Sequence, residues 1–212
     1  MKVYTFTRGA MNTNTYFCVA PDNTCVVIDP GMDGEAIFAK LCEKNLKPTH
    51  ILLTHGHFDH VMGARFLKEK TGAVICVHSK DAEMLYRPAI NSCAFYFHGD
   101  LSRYPCVHAD RLLEEGKATF GALSFDVMHT PGHTAGSVAF MAQNFIFCGD
   151  TIFAYGYGRY DLYGANRADL YASLQRYLAL EGEYKLCPGH GNSVSLSRAK
   201  ELIPDYLNEL QG

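Results

Sequence analysis

Six residues that follow a short apolar run constrain this chain more than any other feature of its sequence. The run at residues 49–54, THILLT, is continuous enough for a strand that is buried on both faces. The motif HGHFDH follows it at residues 55–60. Imidazole nitrogens and carboxylate oxygens are the ligands that borderline cations such as Zn²⁺ prefer. Three imidazoles and a carboxylate within six residues therefore predict a metal site rather than a histidine-rich surface loop.

The spacing within this motif separates its ligands into two groups. Side chains two residues apart point the same way in an extended loop, so His55 and His57 can reach one ion. Asp59 and His60 begin a helix-like segment and are displaced enough to reach a second ion. The motif alone can thus contribute ligands to two metal positions.

Three further polar residues stand in turns directly after apparent strands. They are His133 in HTPGHT, Asp150 in CGDT and His190 in CPGHG. A glycine precedes each of them, and glycine lets the backbone turn sharply. Each signal is weak alone, because an isolated Gly-His or Gly-Asp is more often structural. Since one ion needs three protein ligands and two ions need more, these residues complete a set for two ions.

Composition is that of a globular protein and disfavours nucleic acid as a partner. The chain has 212 residues, of which 48% are apolar and 19% charged, with a net charge of −3. This length suits a single domain over residues 1–212 with a sizeable core. Phosphate binding needs clustered Lys and Arg, which this charge balance does not predict. No apolar run suits a signal peptide or a membrane span, so we expect a cytoplasmic protein with no membrane partner.

Apolar periodicity predicts strands and helices in alternation. In the first half, strands are predicted at residues 2–7, 15–20, 25–29, 49–54 and 73–78, and helices at 35–45, at 61–70 and from Ser79. In the second half, strands are predicted at 117–121, 123–130, 136–142, 144–150 and 184–189, and helices at 168–180 and 196–211. Pro204 is expected to interrupt the last helix. This order favours an α/β fold, a four-layer αββα sandwich of two similar halves.

Residues 86–110 break the pattern. The segment is rich in aromatic and turn-forming residues, among them Phe95, Tyr96, Phe97 and Tyr104, and has no clear period. It predicts either a lid over the metal site or a packed connector. Both alternatives are kept.

The eight cysteines contain no CxxC pair. Five lie in apolar runs, where cysteine behaves as a small hydrophobic residue; they are Cys18, Cys25, Cys76, Cys148 and Cys187. We therefore expect reduced, structural cysteines rather than a disulfide framework.

Four motifs in this order, THGHFDH, TPGHTAGS, FCGDTIF and PGHGNS, resemble the metallo-β-lactamase superfamily and, more narrowly, its compact glyoxalase II-like hydrolases. The resemblance covers nearly the whole chain and includes DRLLEEG and GRYD. It implies the αββα fold and two divalent ions, with Zn²⁺ as the first choice and Fe²⁺ or Mn²⁺ as alternatives. It also implies seven ligands: His55, His57 and His133 for the first ion, Asp59, His60 and His190 for the second, and Asp150 between the two.

The chain departs from several relatives within that superfamily. β-Lactamases of the commonest subclass carry Cys where Asp150 stands, and Cys148 lies two residues too early to replace it. Flavodiiron proteins carry Glu where His57 stands. Full-length glyoxalase II enzymes continue into a helical domain that helps to bind glutathione, whereas only residues 191–212 follow His190 here. This difference weakens a glutathione thioester as the expected substrate but leaves hydrolysis as the expected reaction.

The resemblance implies a thioesterase of glyoxalase II type, in which a metal-activated hydroxide attacks the acyl carbon of a small-molecule thioester or ester. Asp59, His133 and Asp150 are then catalytic. Arg159 falls where related hydrolases place a basic residue near the substrate, although an ion pair with Asp161 or another acid explains it equally well. Tyr160 is expected either to line the substrate pocket or to pack against its neighbours. The remaining histidines are interpreted as surface residues or hydrogen-bond partners of the ligands, and His129 is the strongest candidate partner; they are His50, His78, His98, His108 and His129.

Two other functions are compatible with these motifs. A persulfide dioxygenase resembles the chain in HxHxDH and in a GRxD segment, and uses one iron held by two histidines and a carboxylate. A binding module that keeps the fold without catalysis is the second alternative, although such proteins usually lose ligands.

Overall fold

The computed structural model describes residues 1–212 and contains two six-stranded sheets, each of which keeps chain order. The first sheet consists of β1 (Lys2–Arg8), β2 (Thr13–Val19), β3 (Thr24–Ile28), β4 (Lys47–Leu52), β5 (Val74–His78) and β6 (Arg111–Leu113). The second consists of β7 (Gly116–Phe120), β8 (Leu123–His129), β9 (Val138–Ala142), β10 (Phe145–Gly149), β11 (Lys185–Pro188) and β12 (Val194–Ser195). Strands β3 to β6 are parallel, and so are β10 and β11.

Six α-helices accompany the sheets. They are α1 (Gly34–Glu43), α2 (Phe58–Val61), α3 (Ala64–Thr71), α4 (Cys93–Tyr96), α5 (Arg167–Ala179) and α6 (Leu196–Gln211). A 3-10 helix covers Ser79–Leu85 and a shorter one covers Leu101–Arg103. No helix is long and apolar enough to cross a membrane.

Three apolar cores separate four layers. One core joins the first sheet to α1 and α3, a second lies between the two sheets, and a third joins the second sheet to α5 and α6. Alternation along a strand explains this arrangement, since Ile51 and Leu53 face the helices while Leu52 faces the other sheet. The αββα sandwich is therefore confirmed, whereas the single domain over residues 1–212 stays a prediction.

Helix starts follow local sequence signals. Asp33 accepts a hydrogen bond from the Ala36 amide at 2.9 Å, and Asn166 accepts one from the Asp169 amide at 3.0 Å. Side-chain oxygens at these positions satisfy amides that have no partner inside the helix. The caps fix where α1 and α5 begin.

Several element boundaries differ from the sequence-based prediction. The helix predicted over residues 61–70 is divided, because the Gly63 amide donates to the Pro30 carbonyl at 3.0 Å between α2 and α3. Helix α6 runs through Pro204, so the predicted interruption is wrong; this residue is exposed, and water can hydrate the carbonyl that its missing N–H leaves free. The sequence does not predict the strands β6 and β12. They contain only three and two residues, which is too short to show an apolar alternation.

All eight cysteines are free thiols. Six of them are buried, namely Cys18, Cys25, Cys76, Cys93, Cys148 and Cys187, whereas Cys42 and Cys106 are exposed. Burial raises the pKa of all six buried thiols, for example that of Cys25 to about 12 and that of Cys187 to about 11. The expectation of reduced, structural cysteines agrees with this arrangement.

Thiol labelling tests this packing. At pH 8 in native buffer, we expect Cys42 and Cys106 to react rapidly with a colorimetric disulfide reagent, and the six buried thiols to react only after unfolding. Burial both blocks access and suppresses the reactive thiolate. The native reaction should reach two thiols per chain and the reaction in guanidinium eight. A rapid native reaction with more than two thiols would contradict the packing of these cores.

Candidate metal centre

The candidate ligands lie at one edge of the sandwich, where strands end. The motif at residues 55–60 follows β4, Asp150 follows β10 and His190 follows β11. His133 lies in the turn between β8 and β9. The carboxyl ends of parallel strands meet at the same edge of a sheet, which is where a rigid scaffold best holds functional groups. The sandwich therefore brings loops from both sheets together.

All seven predicted ligands converge there. One group contains His55, His57 and His133, and another contains Asp59, His60 and His190; within each group the candidate ligand atoms lie within 4.8 Å of one another. A third group, His55, His60 and Asp150, takes one ring from each of the other two, so the groups adjoin, and their assignment to separate ions stays a prediction.

Asp150 lies between these groups. Its Oδ2 is 3.7 Å from Nε2 of His133 and 3.5 Å from Nε2 of His190, and its Oδ1 is 3.4 Å from Nε2 of His60. One carboxylate thus faces both groups.

Hydrogen bonds fix the orientation of four of the five rings. In each, Nδ1 bonds to an oxygen at 2.8–3.1 Å, which leaves Nε2 for the centre. The oxygens are the Thr54 hydroxyl for His55, the Asp29 carboxylate for His60, the Arg159 carbonyl for His133 and the Met11 carbonyl for His190. The fifth ring, His57, instead directs Nδ1 inward, 2.9 Å from Nε2 of His133. Such oxygen partners set the tautomer of a metal-binding imidazole.

Two buried atoms that face the centre have no hydrogen-bond partner in the protein: His55 Nε2 and Asp150 Oδ1. Leaving a buried polar group unsatisfied costs about 1–3 kcal/mol, so such atoms need an explanation. The donor set is imidazole and carboxylate, and it lies where a cation would satisfy it. These residues therefore fit a metal ion.

The charges also suit a cation. Burial and the neighbouring rings lower the pKa of His57 to about 3, and the same causes hold the pKa of His55 well below its ordinary value, so both rings are neutral ligands at pH 7. Burial alone would raise the pKa of Asp150, but the His60 and His190 rings bring it well below its usual range. Burial opposes protonation of His60, yet Asp59, Asp150 and Asp29 raise its pKa. A metal ion held by these residues would compensate the same carboxylates in place of that proton.

Sequence reasoning missed Asp29, which organises the first metal loop. Its buried carboxylate accepts hydrogen bonds from the Thr54 amide at 2.8 Å, the Thr54 hydroxyl at 2.6 Å and Nδ1 of His60 at 2.9 Å. It directly follows β3 and has a φ of +49°. The available signal was a polar residue at the end of an apolar strand, followed by Pro-Gly.

Asp81 was also missed, and it joins loops from the two sheets. Its carboxylate accepts from the Gly56 amide at 2.9 Å, the Thr134 hydroxyl at 2.6 Å and the Gly136 amide at 2.7 Å. Burial raises the pKa of Asp81, against the effect of these donors. The carboxylate holds the loop of His57 against the loop of His133.

A second connection anchors the loop of His190 to the first sheet. The Asn14 side chain donates to the Pro188 carbonyl at 3.0 Å and to the Gly191 carbonyl at 2.8 Å, and the Tyr16 hydroxyl donates to the Pro188 carbonyl at 2.7 Å. These residues belong to β2, far from His190 in sequence. No local motif marks them as site residues.

The glycines before the ligands have different roles. Gly132 and Gly149 have φ values of +135° and +49°, so the sharp turn requires them there. Gly189 instead permits close approach, because a Cβ there would lie 2.1 Å from Oδ1 of Asp150. The expectation of a sharp turn therefore holds for the first two positions only.

A cleft of about 340 Å³ opens over the ligands. Asp59, His133 and Asp150 lie at its base, and Ser92, Phe95 and Tyr96 from the 86–110 segment form part of its wall. Other residues of that segment, including Phe97 and Tyr104, are buried in the core with α1 and α3. The segment is thus a packed connector that also forms one wall.

The two predicted substrate contacts differ in position. Arg159 lines the cleft, and its exposed guanidinium pairs with Asp161 at 2.7 and 2.8 Å. Tyr160 lies outside the lining and stacks with Tyr157. Both contacts stay predictions. His129 does not reach a ligand: its Nε2 donates to the Ala135 carbonyl at 2.9 Å, and its ring stacks on His78.

Comparison with known proteins identifies the family. The family model of the metallo-β-lactamase superfamily matches residues 8–190. The chain belongs to this superfamily. Among its relatives, a probable metallo-hydrolase of Bacillus subtilis is 31% identical and covers 94% of each chain. A hydroxyacylglutathione hydrolase of Aeromonas hydrophila is 33% identical, over 94% of this chain and 70% of that protein.

Solved structures of the superfamily agree with the fold and with metal binding. BLEG-1, a B3 metallo-β-lactamase, superposes with a TM-score of 0.88 at 32% identity over the full length of both chains. TTHA1623 in a di-iron-bound form has a TM-score of 0.76 at 35% identity, over 92% of this chain and 96% of that one. Together with the His/Asp cluster, these relations make this superfamily member a metal-dependent hydrolase that binds divalent metal.

Replacement of Asp29 tests how the metal loop is organised. We expect Asp29→Asn to weaken metal binding by about 10- to 100-fold, because His60 loses its carboxylate partner. The dissociation constant is measured by competition with a coloured chelator. The matched control is Asp22→Asn, which changes an exposed carboxylate that only accepts hydrogen bonds from Thr24. Equal affinities for the two variants would show that Asp29 has no part in holding the metal.

Proposed function

We propose that this chain is a dinuclear metal-dependent thioesterase of glyoxalase II type, acting on a small-molecule thioester or ester. The observation that carries the proposal is the position of Asp150 between two ligand groups at the base of an open cleft. A mononuclear site needs no such shared carboxylate. The relation to a hydroxyacylglutathione hydrolase at 33% identity supports thioester hydrolysis as the reaction.

The proposal assigns His55, His57 and His133 to the first ion and Asp59, His60 and His190 to the second, with Asp150 shared. The mixed nitrogen and oxygen donors favour Zn²⁺, and they also accept Fe²⁺ or Mn²⁺. Bound there, two divalent ions would supply a nucleophilic hydroxide at neutral pH and polarise the acyl carbonyl.

The protein's own groups orient the reactants. Asp59 lines the cleft, and the Thr13 hydroxyl donates to its Oδ2 at 3.0 Å, which holds the carboxylate toward the base of the cleft. In this position it can accept a proton of the attacking water and so orient that water. Ser137 is no competing nucleophile, because it is buried and its hydroxyl is engaged with Thr134 at 2.7 Å.

Arg159 and Tyr160 are proposed substrate contacts. The Arg159 guanidinium lies at the rim and can exchange its partner Asp161 for a substrate carboxylate. Tyr160 is about one-third exposed beside it and can contact a larger substrate.

The alternative functions account less well for the site. A mononuclear iron dioxygenase leaves Asp59, His60 and His190 unexplained, although their ligand atoms are gathered as closely as those of the first group. A binding module leaves the complete ligand set unexplained.

Metal stoichiometry and thioester hydrolysis test the proposal. We expect two metal ions per chain and hydrolysis of S-lactoylglutathione or of simpler acyl thioesters, followed by loss of thioester absorbance. Removal of the metal with a chelator should abolish turnover, and Zn²⁺, Fe²⁺ or Mn²⁺ should restore it. No hydrolysis with any of these metals would refute the proposal. One iron per chain with oxygen uptake would favour the dioxygenase.

Two substitutions test the ligand assignment. Asp59→Ala and His133→Ala should each lower kcat/KM by at least about 100-fold, because each removes both a ligand and a group at the base of the cleft. Far-ultraviolet circular dichroism should show retained folding. The control His108→Ala changes an exposed histidine outside the cleft and should keep the wild-type rate. Wild-type rates in both ligand variants would contradict the assignment.

A further inference from the structure

Five of the twelve residues that line the cleft are apolar. They are Met11, Phe58, Phe95, Tyr96 and Leu162, here called the apolar wall. Phe95 is 77% exposed and Met11 is 41% exposed. Large apolar side chains grouped around a functional cleft mark a surface that a ligand covers.

The apolar wall is held rigidly. Phe95 lies on α4, between Cys93 and Phe97, which are both buried in the core beneath it. The neighbouring Tyr96 ring packs on Phe58 with 5.5 Å between centroids. Phe95 therefore stays exposed because its neighbours anchor the helical turn, and its ring cannot fold back into the core.

The cleft offers a single cationic side chain to an anionic substrate. Arg159 is the only Lys or Arg in the lining, and its Nε and Nη2 donate to Asp161 at 2.7 and 2.8 Å. A thiol carrier with two carboxylates, such as glutathione, could exchange Asp161 for one of them at Arg159, and its second carboxylate would find no further Lys or Arg in the lining.

We propose that the cleft selects thioesters or esters that carry an uncharged aliphatic or aromatic group, which packs on the apolar wall beside the scissile bond. This inference rests on the proposed function and names the substrate class of the same site. It separates this protein from hydrolases that recognise the peptide part of a glutathione thioester.

Two series of thioesters test the preference in the metal-loaded protein. The first keeps N-acetylcysteamine as the thiol and extends the acyl group from acetyl to butanoyl to hexanoyl. The second keeps acetyl and extends an alkyl thiol in the same steps. We expect kcat/KM to rise about two- to fourfold per methylene in at least one series. The glutathione thioester of the best acyl group should be no better a substrate than its N-acetylcysteamine counterpart. Rates that do not rise with length in either series, or a glutathione thioester more than tenfold faster, would overturn the inference.

A variant locates the effect on the apolar wall. Phe95→Ser should lower kcat/KM for the longest substrate by about tenfold and flatten the dependence on length. Folding should survive, because the side chain is exposed. The matched control Leu112→Ser changes a leucine that is 57% exposed on β6, outside the cleft, and should keep the wild-type dependence. A wild-type dependence in Phe95→Ser would also overturn the inference.

Binding of a thioether that cannot be hydrolysed tests the apolar preference separately from the proposed thioesterase function. By calorimetry, S-hexyl-N-acetylcysteamine should bind the wild-type protein at least about tenfold more tightly than the S-methyl compound, and Phe95→Ser should remove this difference. Tight binding without any thioester or ester hydrolysis would refute the proposed function and keep the apolar preference. Hydrolysis with equal binding of the two thioethers would keep the proposed function and overturn the apolar preference.

Discussion

The structure depends on holding five imidazole rings and two carboxylates together in a buried space. Two polar atoms that face the centre of this cluster have no partner among the protein's own groups, and Asp150 faces three of the rings at 3.4–3.7 Å. Such a group of atoms is unfavourable by itself, because each buried polar atom has lost its water. The surrounding fold therefore has to hold the ligands in place until a cation compensates them. Hydrogen bonds between the loops around the cluster do this.

The fold meets this requirement by connecting loops that are distant in sequence. Asp29 fixes Thr54 and His60, Asp81 holds the loop of His57 against the loop of His133, and Asn14 with Tyr16 anchors the loop of His190. Each connection uses a buried side chain that lies in a strand of the first sheet or in the segment directly after such a strand. Because the partners are mostly backbone groups, the ligand loops cannot shift independently. Helix α4 packs on the core that joins the first sheet to α1 and α3. The wall of the cleft is therefore held as firmly as its base.

Much of the site could be predicted from local sequence, because its ligands lie in short motifs with recognisable chemistry. His55, His57, Asp59 and His60 form one such motif, and His133, Asp150 and His190 each follow a strand and a glycine. Asp29 and Asp81 could not be predicted in the same way, since a single carboxylate carries no signature until its donors are known. The extent of helix α6 beyond Pro204 also depended on context, because an exposed proline is tolerated where water can reach the freed carbonyl.

The sequence by itself determined the layered α/β architecture, through runs such as ILL whose successive residues face two different cores. It also determined the residue types available to a metal, because a ligand is recognised by its own chemistry. The tertiary structure alone decided that Asp150 lies between the two ligand groups and that Phe95 is left exposed on an anchored turn. These features arise from distances between groups far apart in the chain, and such distances exist only after the two sheets have packed together.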